Sequence, residues 1–539
     1  MFFGRSYYAS RNVFTREFSL ITKQTTMKNA IACLLLATLI SCSKKDNELQ
    51  QDGPDVQPEL AITSYYVNGA SGNDANTGTT AATALKTIQA ALNKTTEGAG
   101  STIYVAGGTY KERLSWPHSG ASAAEPVTLT NYSGGTVILD GVGATNTEQN
   151  AMINISSKSY IRINNIRIAN NTRSFASGIY ISGAGTDIKI TSCRIYNIGW
   201  TTDSTAVPSS ANNANPLVVI GTMPAAYTQI YVGSNQIYAC NTGYSEALTM
   251  AGNVNNFLIE NNIVHHIKNI GIDMTGHYSW TGAPDSVNFA RNGNVKDNVV
   301  YNCVSPVATS GGIYVDGGKW INIEGNTSFN NGAGITVGCE NANQTAEGIN
   351  IRSNFIYNNK EAGLVIGSNA AGSKVAWSSA TNNTLFKNYT NGGWGGEISL
   401  QNTDHITLSN NIVQSASDIV VIALLGYTST NLAMDYNRYY TASGTANTIT
   451  FDWGGINANT YGSLATFKSG TGLEAHATYG IPSFVNSTLA TLNLHLASGS
   501  ACINAGDPAF VSASGELDID KQSRKQNNRV DIGADETGL

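Results

Sequence analysis

An asparagine recurs through the middle of the chain at Asn235, Asn262, Asn298, Asn326, Asn354, Asn383, Asn411 and Asn437, separated by 27, 36, 28, 28, 29, 28 and 26 residues. A fixed period in this range signals a stacked solenoid, in which each repeat buries its apolar face only against its neighbours. Around each asparagine the chain alternates apolar and polar, as in Ile259–Val264, Val295–Val300 and Ile351–Ile356, which is the period-two pattern of a half-buried strand. The amide is expected to stand at an αL corner of each coil and to bond its counterpart in the next. A second column supports the same coils. Gly178, Gly271, Gly312, Gly334 and Gly363, with Ala247, each open a short run whose second and fourth residues are apolar and should point inward. The expected fold is all-β: a right-handed parallel β-helix, the hand following the general rule for parallel crossovers.

Length alone would suggest roughly three or four domains, but a solenoid grows coil by coil and needs no single large core. One domain is therefore expected over residues 63–539, opened by Ser64–Val67 and capped by an amphipathic helix over Ala84–Leu92 that covers the first coil. The residues before it are not read as fold. Met27-Lys28-Asn29, the apolar run Ile31–Ile40 and Ser41-Cys42 form a charged start, an apolar core and a lipoprotein cleavage site, so residues 1–41 read as a signal peptide whose true start is Met27. Cys42 would carry the lipid, and residues 42–62, rich in acids and without periodicity, would be a solvated tether. Lys44, Lys45, Asp46 and Glu48 beside Cys42 resemble surface-export signals of Bacteroidota lipoproteins, which implies a surface-exposed protein of a bacterial outer membrane.

Residues 1–41 hold five basic residues and one acid, so their removal takes the net charge from −6 to −10. Nucleic acid is not expected as a partner of so acidic a chain, and a monomer is expected. Cys240 and Cys303 fall at one repeat position, where other coils place Ile198 and Ile267, and read as stacked core residues rather than metal ligands.

The opening Ile103–Tyr110, the coil Val137-Ile-Leu-Asp140-Gly141, and the closing Ala497–Gly506 with Arg529–Glu536 resemble the pectate-lyase-like β-helix superfamily, and in particular relatives of the family nine polysaccharide lyases. The resemblance implies a carbohydrate-active enzyme, first of all a lyase acting by β-elimination on a uronic-acid glycan with Ca²⁺. Those lyases carry a tight run of aspartates for calcium that this sequence lacks, so their calcium site does not carry over residue by residue.

On a β-helix the chemistry lies on the solvent-facing side chains of one sheet and the loops beside it. Aligned by glycine, the third-position column reads Tyr180, Thr249, Asp273, Tyr314, Thr336 and Val365, and the fifth holds Asp316. Asp273 and Asp316 would stand on neighbouring coils two residues apart, their Cα atoms ~8 Å from each other. The inserted segment His277–Asn292 lies between them and supplies His277, Tyr278, Trp280, Asp285 and Arg291; a second insertion, Trp200–Pro216, adds Trp200. Lys319 and Glu340 flank the same strands, and Glu246 begins the coil above. Asp273, Asp316, His277, Lys319 and Arg291 are the catalytic candidates; Trp280, Trp200, Tyr314, Glu246 and Glu340 are the substrate-binding ones, the aromatics as platforms for sugar rings. Trp320, Trp377 and Trp394 are expected to pack inside turns.

Three readings share these residues. A lyase would hold Ca²⁺ on Asp273, Asp316 and Glu340 and use Lys319, His277 or Arg291 as base or neutraliser. A glycoside hydrolase needs only the carboxylate pair, one member kept protonated, and no cofactor. A noncatalytic glycan-binding surface protein would use the aromatics and leave the acids idle.

Overall fold

The computed structural model describes residues 62–538. The signal, tether and Cys42 readings fall outside the described residues. Within them the chain winds as a parallel β-helix of three sheets. Sheet A has 14 strands, from Thr63–Val67 to Ser429–Asp435. Sheet B has 13, from Gly108–Tyr110 to Thr478–Tyr479, and sheet C has 13, from Leu114–Ser115 to Asn459–Tyr461. Each coil contributes one strand to each sheet in turn, and coil neighbours pair in parallel register. The Ile, Val and Leu residues of every second position fill one continuous core along the interior.

The asparagine column is a buried ladder. From Asn262 onward, Oδ1 of each asparagine accepts both the backbone N–H and the side-chain Nδ2–H of the asparagine one coil earlier, as in Asn298 to Asn326 (2.9 and 3.0 Å) and Asn326 to Asn354 (2.8 and 3.0 Å), while Asn235 Oδ1 accepts the Cys193 N–H. The αL corner belongs instead to the residue before each rung: Ser234, Asn261, Asp297, Gly325, Ser353, Asn382, Asn410 and Tyr436 all have φ between 54 and 67°. Shifting the turn one residue back lets the rung itself face inward, where its amide satisfies strand-end backbone groups that the corner would leave unpaired. A second, shorter ladder, not foreseen from the sequence, runs through Asn331, Asn359 and Asn388. Both ladders end on a buried glutamate: Asn388 Nδ2 donates to Glu397 (2.8 Å), and Asn437 Nδ2 to Glu474 (2.8 Å). Cys240 and Cys303 are buried in register with Ile267, as expected.

The first coil is covered by a helix, but it spans only Ile88–Lys94. Leu85 is drawn into a bridge with Val67, and the Thr87 side chain caps the helix at Ala90, so residues 84–87 stay extended. At the far end the helix Leu464–Thr471 lays Phe467 on Phe451, ring centroids 4.0 Å apart. The closing motif does a different job. It returns along sheet B, where Leu494 and Ala534 pack with Phe355 and Phe386, and Arg524 pairs with Glu536 at 3.0 Å, both fully buried. An outward column on sheet B, Tyr196, Tyr238, His265, Tyr301, Phe329 and Tyr357, stacks face to face at 4.7–5.2 Å, and its last member, Tyr357, packs against the closing motif.

Candidate active site

Four consecutive strands of sheet C carry the acids: Leu248–Gly252, Ile272–Thr275, Gly311–Asp316 and Ala333–Gly338. Asp273 pairs in register with Thr249 on one side and Tyr314 on the other, so Asp316 stands two residues further along the next strand, the expected offset. Glu246 precedes the first of these strands and Glu340 follows the last. The four carboxylates thus form a diagonal across the outer face. The glycine alignment skipped one coil of this column, Val218, because Pro216 occupies the glycine position; Pro216 lies in the strand Ala214–Gly221, not in the preceding loop.

The inserted segment after Thr275 folds down over the acids. Asn288 is buried and clamps it: Asn288 Nδ2 donates to the Tyr278 carbonyl (2.9 Å), Thr281 Oγ1 to Asn288 Oδ1 (2.8 Å), and Asn341 Nδ2 ties the Gly276 carbonyl from the coil below (3.1 Å). This holds Tyr278 so that its hydroxyl donates to Asp316 Oδ2 at 2.6 Å and lies 3.3 Å from Glu340 Oε2. Asp316 Oδ1 accepts the Glu340 backbone N–H at 2.7 Å. Tyr314 Oη donates to Glu340 Oε1 at 3.3 Å, and Thr249 Oγ1 to Glu246 Oε2 at 3.1 Å. Gly338 leaves room for the Tyr314 ring, since a Cβ there would stand 3.1 Å from its hydroxyl.

Asp273 and Asp316 are 4% and 3% exposed. Burial is the main force raising both well above the ordinary aspartate range; Glu246, Asp316 and Glu340 add to it at Asp273, and Glu340 and Glu246 at Asp316. Two hydrogen bonds offset the rise at Asp316, from Tyr278 and the Glu340 amide. At Asp273 the only offset is the Met274 amide, and Oδ1 has no partner at all. Burial also pushes Glu246 up to about 7 and raises Glu340. None of the ion pairs among the described residues involves these four acids. One neighbour, Thr275, was not foreseen: its buried Oγ1 is unpartnered, two residues from Asp273 on the same strand. Tyr278 stood among the residues the inserted segment supplies but had no role assigned, because nothing in the sequence tells which loop residue turns inward.

The basic candidates gather elsewhere. His277 packs against Phe289 (5.5 Å between ring centroids), Lys319 Nζ lies 5.0 Å over the same ring and pairs with Glu347 at 3.4 Å, and the Arg291 guanidinium lies 5.4 Å over it while bonding Asn253, Val287 and Phe289. Burial, then the nearby Lys319, lowers the His277 pKa. Lys319 and Arg291 sit on sheet A strands, around the corner from the sheet C face, which the linear sequence cannot show. Among the described residues the side chains gathered within 4.8 Å as a possible ion site are His495, Asp520 and Asp535.

Of the aromatics, Trp280 is 59% exposed at the rim, its ring 5.9 Å from that of Tyr278. Trp200 is half-buried and spends its N–H on Asn241 (3.0 Å), fastening a turn. Trp394 packs against Ala333, Ala362 and Val365, whereas Trp320 and Trp377 are exposed, contrary to expectation. Both have αL backbone within a sheet A strand, Lys319–Glu324 and Lys374–Thr381, and their rings lie on the outside: Trp320 over Gly348, Trp377 onto His405 at 3.6 Å.

No protein-family model matches the chain. It is 29% identical over 437 residues to YwoF, an uncharacterized protein of Bacillus subtilis strain 168, spanning 78% of this chain and 88% of YwoF. Among solved structures it is similar to the pectate lyase Pel9A (14% identity, 89% of this chain and 97% of that one, TM-score 0.39) and to PfbA, a surface adhesin of Streptococcus pneumoniae (12% identity, 66% and 85%, TM-score 0.46). A fold does not fix a reaction; the side chains on sheet C carry the functional reading.

Proposed function

We propose that the protein cleaves a polysaccharide by glycosidic hydrolysis on the outer face of sheet C, with Asp273 as general acid and Asp316 as its ionised partner. The observation that carries this is the asymmetry of the pair. Asp316 accepts two hydrogen bonds, which favour its charged form, while Asp273 is buried with one oxygen unpartnered and other carboxylates around it, which favours its protonated form. Hydrolysis needs such a pair: Asp273 gives its proton to the leaving oxygen, and Asp316 activates water or attacks the anomeric carbon, the stereochemistry following from the carboxyl separation. Asp273 Oδ1 and Thr275 Oγ1 are buried without partners on this strand, and such atoms are costly unless a ligand or water meets them. Trp280 offers a ring face at the rim.

The β-elimination implied by the resemblance draws on Lys319, His277 and Arg291, which are engaged around Phe289. A panel of plant, algal and host polysaccharides, followed by reducing ends and by ultraviolet absorbance of unsaturated uronides, separates the readings. Hydrolysis gives reducing ends alone and persists in EDTA; elimination gives both signals; a binding protein gives neither. In this reading the enzyme is carried on the outer membrane by a lipid on Cys42, and Cys42→Ser should release it from the membrane fraction.

A further inference from the structure

On the corner between sheets A and B, away from the four acids, lies an open groove of about 350 Å³. Its base is built by two arginines in register on consecutive coils, Arg167 and Arg194. Their column runs from Ile138 above to Gln236 and then Ile263 below, so nothing in it opposes their charge. Neither guanidinium makes an ion pair or a hydrogen bond among the described residues, although acids outnumber bases in the chain by 37 to 31. The second wall is formed by the corner residues Asn165, Ser192 and Ser234, whose φ of 55–57° turns their side chains outward. The Ser192 and Ser234 hydroxyls are likewise unengaged, and Gln236 adds an amide that meets His265 at 3.1 Å.

We infer that this groove binds the anionic substituents of a polysaccharide, carboxylate or sulfate. Consecutive coils stand ~4.8 Å apart, so the two guanidiniums present planar sets of donors at the separation of neighbouring oxygens on one or two sugar units, and guanidinium forks match carboxylate and sulfate oxygens bidentately. The serine and asparagine side chains supply neutral partners for the sugar hydroxyls between the charges. The groove is a holding site: it lies on a different face from Asp273 and Asp316 and needs neither. Choosing a glycan as the carrier of the anion rests on the function proposed above; the binding itself does not.

The test measures binding without turnover, in the Asp273→Asn background, by titration calorimetry with three probes: polygalacturonate for carboxylates, dextran sulfate for sulfates, and unmodified dextran as the neutral control. At least one anionic probe should bind, dextran should not, and Arg167→Ala with Arg194→Ala should weaken binding at least tenfold and flatten its salt dependence. Arg167→Lys with Arg194→Lys should recover part of the affinity. Equal binding by the double alanine variant, equal binding of dextran, or no binding of either anionic probe at low salt would each overturn the inference. So would tighter, arginine-dependent binding of duplex DNA or of anionic vesicles. Binding of an anionic probe by a wild-type protein that hydrolyses no polysaccharide would instead count against the sheet C reading alone.

Discussion

Two sets of buried acids sit in this β-helix, and their surroundings differ. Glu397 and Glu474 close the asparagine ladders in the interior, where each faces the amide that the last rung must place; Glu474 also accepts the Tyr439 hydroxyl at 2.6 Å. Burial pushes them up to about 8 and about 7. Asp273 and Asp316 are buried on an outer face, crowded by other carboxylates and met by Tyr278, which comes from an inserted loop rather than from the repeat. In the first set the acid completes a repeating structure. In the second the acids belong to neither ladder and raise one another's pKa beneath an inserted loop. Burial, a raised pKa and an unpartnered oxygen, which Glu397 Oε1 and Glu474 Oε2 also have, therefore do not by themselves mark a functional site; four carboxylates crowded on one outer face under an inserted loop do.

The comparison breaks first at activity. Asp273→Asn or Asp316→Asn should each lower the hydrolytic rate ~10²–10⁴-fold with unchanged circular dichroism and melting, whereas Glu397→Gln should leave the rate alone. Tyr278→Phe is next. Removing a hydrogen bond to a charged group is worth about 1.5–3 kcal/mol, so the rate should fall roughly ten- to a hundredfold, and the acid limb of the pH profile should move to higher pH because Asp316 loses a donor that favours its ionised form. Asn326→Ala acts on the other side of the comparison: it should cost about 1–3 kcal/mol of stability by stranding the Asn298 amide, read by denaturant melts, with no effect on the rate per folded molecule. The smallest effect is expected at Glu474. The folded state keeps a proton there that the unfolded chain releases near the ordinary glutamate value of 4.5, so the stabilisation is complete below that pH and is lost as pH rises through about 7. Glu474→Gln should raise the melting temperature at pH 8 and leave it nearly unchanged at pH 4.

Much of the fold was legible because its rule is periodic. The spacing of Asn298, Asn326 and Asn354 gave the coil length, and the glycine column placed Asp273 and Asp316 at their observed offset. The Asn331, Asn359 and Asn388 ladder was equally readable, with spacings of 28 and 29, and was overlooked beside the longer one. Loops obey no such rule. Nothing in the order of residues tells that Tyr278 turns down to Asp316 while His277, next to it, turns to Phe289, or that Lys319 and Arg291 lie beyond the corner on sheet A. The tryptophans show the same limit: Trp394 packs and Trp377 does not, because one lies in a loop over Val365 and the other takes an αL conformation within a sheet A strand.

The central claim is that Asp273 holds a proton at neutral pH, poised for transfer. Infrared spectroscopy reads it directly, because a protonated carboxyl and a carboxylate absorb at separate frequencies. In the difference between the wild-type protein and Asp273→Asn at pH 7, the account predicts the loss of one protonated-carboxyl band. Loss of a carboxylate band instead, with the protonated region unchanged, would contradict it.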